Sequence, residues 1–123
     1  MTQEQTPSEK LPSNGWIYVQ DPGSGAPFFA CTVDAGIGIT FNDAADCARE
    51  NNARLATPRE MNVMFNLRAA IGGFAEQGAP SETRYWTSYK IDETDAMVQD
   101  FGSGFSTFIY QRQTANVRLV MDA

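Results

Sequence analysis

Two cysteines, an acidic run and a set of aromatics are the residues whose types and spacing could do chemistry. Cys31 sits in a β-prone run and Cys47 in a helical one. If the two elements pack together, the sulfurs could close a disulfide around a loop of about 15 residues, worth about 3 kcal/mol in the chain-entropy model. The alternative is two buried thiols acting as small hydrophobes. A catalytic thiolate needs an activating neighbour, and the chain contains no histidine to supply one. The same lack removes the usual general base and the commonest zinc ligand. The acidic run is Asp92, Glu93 and Asp95, with Asp100 nearby. Carboxylates at short spacing suit calcium, but no EF-hand loop is present, and a solvated hairpin loop accounts for the run.

The aromatic set is Tyr85, Trp86, Tyr89, Phe101, Phe105, Phe108 and Tyr110. Strand alternation cannot put all of them inside. Phe108 and Tyr110 share one face of their strand, and Phe105 and Ile109 share the other. One face serves the core. An exposed aromatic patch on the other would mark an interface. Tyr89, Phe108 and Tyr110 are the partner-binding candidates, with Arg112 as a charged rim. The glycine-bearing loops at residues 23–25 and 36–38 do not open helices, so they read as turns rather than phosphate cradles.

These residues need a scaffold, and composition allows one. The 123 residues suit one domain, and 42% hydrophobic and 11% aromatic content is enough for a core. The net charge of −6 makes nucleic acid a poor partner, because that affinity rests on cationic phosphate contacts. No apolar stretch approaches the roughly 20 residues of a membrane span. Residues 1–14 are polar and read as a flexible N-terminal arm without a signal-peptide core.

Residues 16–19 form a first strand, closed by the turn signal at residues 21–25. Residues 28–33 form a second, and residues 34–38 turn the chain. A first helix is expected from about residue 43 to 52 with Asn42 as N-cap, and Phe41, Ala44, Ala45 and Ala48 on one face. The second has the clearest start in the chain. Thr57, Pro58 and Glu60 make a capping box with proline at the first helical position, and Met61, Met64, Phe65 and Arg68 follow along one side. Gly72 and Gly73 end it. Runs at 85–89, 96–101 and 105–111 predict an antiparallel meander, and 116–121 a closing strand. Helices followed by strands imply an α+β fold.

The helix at residues 43–47, with Ala53, Arg54, Leu55, Ala56, Thr57, Pro58, Arg59, Glu60 and Met61 after it, resembles the "R-L-P-T-x-x-E-L" segment of a bacterial and phage C-type-lectin-like domain. The run from Ala70 to Phe74 resembles that family's next segment. Tyr85, Trp86, Thr87 and Ser88 resemble its "Y-W-S-S" strand, residues 95–104 its "A-W-x-x-x-F-x-x-G" hairpin, and Val117, Arg118, Leu119 and Val120 its closing "V-R-x-V-R" strand. The similarity spans roughly residues 40–121. Ala56, Met97 and Met121 depart from the pattern. The Glu-Pro-Asn, Gln-Pro-Asp and Trp-Asn-Asp triplets of calcium-dependent sugar-binding lectins are absent.

The resemblance implies a C-type-lectin-like domain over residues 15–123, with two helices packed on a small, mainly antiparallel sheet. It implies a non-enzymatic phage virion protein (capsid decoration, collar, tail or fibre) that binds other virion proteins or itself. A bacterial surface adhesin module that binds a host-surface receptor is the alternative, and a small enzyme ranks last. No cofactor, metal, nucleic acid or membrane enters these expectations.

Overall fold

A computed structural model of the chain describes residues 15–21, 23 and 25–123. The arm expected over residues 1–14 lies outside the described residues, as does part of the turn at residues 21–25. In chain order the elements are β1 (Trp16–Val19), β2 (Phe28–Cys31), β3 (Gly36–Ile39), α1 (Phe41–Glu50), β4 (Arg54–Leu55), α2 (Pro58–Asn66), α3 (Arg68–Ile71), α4 (Pro80–Thr83), β5 (Arg84–Lys90), β6 (Asp95–Asp100), β7 (Ser106–Tyr110), β8 (Ala115–Val117) and β9 (Leu119–Asp122). The fold is α+β, and β5, β6 and β7 form the expected antiparallel meander.

The strands make two sheets rather than one small sheet. One has the order β1-β2-β9-β4, the other β3-β8-β5-β6-β7. The expected closing strand divides at Arg118, so that β8 joins the larger sheet and β9 the smaller. β9 lies between β2 and β4, with Ala30 and Arg54 both in register with Val120. The expected turn at residues 34–38 is partly β3. Gly36 pairs with Val117 and Ile39 with Ala115, and the register shifts between them. Gly38 takes φ +64° there, a conformation that favours glycine.

α1 begins two residues earlier than the sequence suggests. Its N-cap is Thr40, whose Oγ1 accepts from the Asp43 N–H at 3.3 Å, and Asn42 lies inside the helix. Tertiary contacts decide this. The Phe41 N–H donates to Gln111 O at 3.0 Å, and the Phe41 ring meets Trp86 edge-on at 5.4 Å. Phe41, Ala44 and Ala48 are buried as a stripe, with Ala45 at its margin.

α2 starts as its sequence dictates. Thr57 Oγ1 accepts from the Glu60 N–H at 3.1 Å, and Glu60 Oε1 accepts from the Thr57 N–H at 2.9 Å. Arg54 adds two hydrogen bonds to Glu60 at 2.7 Å and reaches Asp122 at 2.8 Å, joining β4, α2 and β9. Met61 and Met64 are buried and Phe65 is half-buried. Val63 is buried as well, in the same cluster as Ile71 and Phe74. Arg68 opens the separate helix α3, which ends at Gly72 with φ +87°.

Two cores flank β5. Neighbouring strand residues point to opposite faces, so Trp86 and Tyr85, both fully buried, enter different clusters. Trp86 joins Phe41, Ala44, Val98 and Val117. Its Nε1–H donates to Ile39 O at 2.8 Å. Tyr85 joins Phe28, Met61, Met64, Phe74 and Phe101. The far end of the meander extends beyond this double cover, and the candidate site lies there.

Candidate functional site

β7 is the edge strand of the larger sheet. Its register on β6 sets Met97 against Phe108, Asp95 against Tyr110 and Ala96 against Ile109. Residues directly opposite share a face. Phe108, Tyr110 and Met97 therefore point away from the Trp86 core, and Ile109 packs onto it. Tyr89 is 46%, Phe108 38% and Tyr110 55% exposed. The Tyr89 and Phe108 rings meet edge-on at 5.9 Å, and the Arg112 guanidinium lies 5.6 Å from the Tyr110 ring centre. The four residues singled out from sequence thus come together as two contacting pairs joined by strand alternation. Phe105 does not follow Ile109 inward. It precedes β7, after the turn closed by Gly104 at φ +88°, and is 77% exposed.

The backbone of this edge is partly closed. The Gln111 N–H donates to Thr94 O, and the Asp100 N–H donates to Phe105 O, so residues 105 and 111 face β6. Alternation then turns the N–H and C=O groups of Ser106, Phe108 and Tyr110 outward. Tyr110 is capped on both groups. Its N–H donates to Gln113 Oε1 at 2.9 Å, and its C=O accepts from the Gln113 N–H at 2.9 Å. Ser106 and Phe108 show no such cap among the described residues.

Beside this face the start of α1, the acidic turn and the end of β7 enclose a cleft of about 540 Å³, lined by Thr40, Asn42, Glu93, Thr94, Tyr110, Gln111 and Arg112. Asp92 organises the turn by accepting from the Thr94 N–H, the Thr94 hydroxyl and the Asp95 N–H at 2.8–2.9 Å. Those donors hold its carboxyl below the usual carboxylate range, led by the two backbone N–H groups. Among the described residues no group of three or more Cys, Asp or Glu side chains is placed to hold a metal ion. Thr40, Asn42 and Gln111 were not foreseen as site residues, and Glu93 was weighed only as part of the acidic run. The polar run Gln111, Arg112, Gln113 at the end of an alternating strand was the available signal.

No disulfide joins Cys31 and Cys47; both carry thiols. Cys31 is fully buried in the Trp86 core, and burial pushes its thiol pKa up, the reverse of an activated nucleophile. Cys47 directs its Sγ to Ala35 O at 3.7 Å and accepts from Asn51 Nδ2 at 3.8 Å.

No family model matches this sequence, and no curated protein matches it.

Proposed function

We propose that this chain is a non-enzymatic structural and binding component of a bacteriophage particle, a capsid-decoration, collar, tail or fibre protein, built on a C-type-lectin-like domain. The observation that carries the reading is the exposed aromatic face of the meander, Tyr89 on Phe108 beside Tyr110 under Arg112, on an edge strand. Exposed tyrosine, phenylalanine and arginine held by a rigid sheet match the residue types that dominate protein–protein hot spots. Two capped helices ahead of an antiparallel meander support the lectin-like scaffold that the sequence resemblance implies.

The partner in this reading is another particle protein or a second copy of the chain. Two groups whose pKa values burial raises belong to the scaffold. Cys31 and Tyr85 are fully buried, and burial raises both their pKa values. The test is light scattering of the purified chain, followed by cosedimentation with particle proteins. Self-association or cosedimentation that is lost in Y89A/F108A/Y110A is the expected result. A chain that stays monomeric and sediments with no particle protein overturns the virion assignment.

A further inference from the structure

The cleft between α1, the acidic turn and β7 contains polar groups that the protein does not use. Arg49, Arg54, Arg59, Arg68 and Arg118 each face a carboxylate. Arg84 donates to Thr114 O at 2.8 Å. Arg112 has no such partner among the described residues and contacts only the Tyr110 ring. Glu93 lines the same cleft and pairs neither with Arg112 nor with any other described cation. The other polar walls are largely engaged. Thr40 Oγ1 caps α1, the Thr94 hydroxyl donates to Asp92 and Asp95, and the Gln111 amide donates to the carbonyls of Asp92 and Asp95.

We infer that this cleft is a binding site for a small zwitterion of amino-acid or dipeptide size. Glu93 takes the ammonium and Arg112 takes the carboxylate. Tyr110 restrains the guanidinium and offers its ring to the ligand's apolar part, and Asn42 also lines the cleft. An acid and a base that share one cleft without neutralising each other complement a ligand that carries both charges. A simple anion meets the Glu93 carboxylate and a simple cation meets Arg112, so each charge also works against the wrong class. The volume of about 540 Å³ lies within the range of small-molecule sites. Both charges lie near water, so affinity is in the millimolar range and falls with salt.

The site shares Tyr110 and Arg112 with the aromatic face but does not rest on the particle assignment, and the experiment separates the two. The full chain is titrated with alanylalanine, N-acetyl-alanylalanine, alanylalanine amide and maltose, read by backbone NMR shifts and calorimetry. Alanylalanine is expected to move the signals of residues 93, 110 and 112. Each capped form is expected to bind about tenfold more weakly. E93Q and R112Q are each expected to reduce alanylalanine binding by about tenfold with the thermal midpoint unchanged. Y89A/F108A tests the aromatic face and leaves Glu93 and Arg112 in place. Capped dipeptides binding as well as the free one, maltose binding at the same residues as tightly, or no shift at saturating dipeptide would each overturn the site.

Discussion

Arg118 and Asp34 meet across 84 residues of sequence, with Nη2 and Nε donating to one carboxylate oxygen at 2.7 and 3.0 Å. Arg118 has no exposed surface. Its Nη1 donates to Cys31 O and Gly72 O, and its guanidinium lies 3.8 Å from the Phe74 ring centre. The Tyr85 hydroxyl donates to Asp34 and accepts from the Ala75 N–H at 2.8 Å. One arginine thereby ties the ends of β2 and α3 to the point where β8 and β9 part. Its position between the two sheets explains why the last strand breaks there.

Removing one partner of a buried, hydrogen-bonded pair leaves the other charged and uncompensated. R118A is expected to lose about 3–5 kcal/mol in urea unfolding. D34N should also destabilise. The double variant R118A/D34N should lose less than the sum of its singles, because neither side then leaves a lone charge. Additive losses would show that the two residues act separately.

Local signals survived into the structure and long-range ones did not. The capping box of Thr57 and Glu60 needs only residues three apart, and it formed. Period-two alternation placed Phe108 and Tyr110 together and Ile109 inward. Asn42 has a capping residue's chemistry, yet Thr40 caps α1, because the Gln111 carbonyl and the Trp86 ring draw Phe41 into the helix from elsewhere in the chain. The brief strands β3 and β4 exist only because β8 and β9 lie beside them. Glu93 and Asn42 share a cleft through tertiary packing alone, so nothing in their spacing announces it.

The aromatic face and the aromatic core should separate in mutagenesis. Phe108 and Tyr110 are exposed, so F108A and Y110A should each cost less than about 1 kcal/mol. Trp86 is fully buried against Phe41, and W86A should cost about 3–5 kcal/mol. Chemical denaturation of the three variants checks this. A large loss in F108A would mean that the ring stabilises the sheet and is not held ready for a partner.

The thiols should differ in reactivity. Cys31 is fully buried with a raised pKa, whereas Cys47 is half-buried. A maleimide should modify Cys47 first in the folded chain and Cys31 only on unfolding. Intact mass under non-reducing conditions should show both thiols. A mass lower by two hydrogens would place a disulfide there instead.

Acid should unfold the protein through carboxylates whose native partners favour the charged form. At Glu60, burial raises the pKa, but hydrogen bonds from Arg54 and the Thr57 N–H outweigh it, and the net shift is down. At Asp100, burial is likewise outweighed by the Thr83 hydroxyl and the Gly102 N–H. A carboxylate with a depressed folded pKa adds stability above its unfolded value of about 4 and loses it as pH falls through the folded value. Stability should therefore hold through neutral pH and fall below about pH 4. Tyr85 has the opposite sense. Burial raises its pKa, so its contribution is complete below the unfolded value of about 10 and is lost at higher pH. E60Q isolates one carboxylate. Its stability at pH 7 should drop below that of the parent chain, and the difference between pH 7 and pH 3 should shrink. Parallel pH profiles for E60Q and the parent in urea unfolding would rule out the Arg54–Glu60 pair as a source of the acid limb.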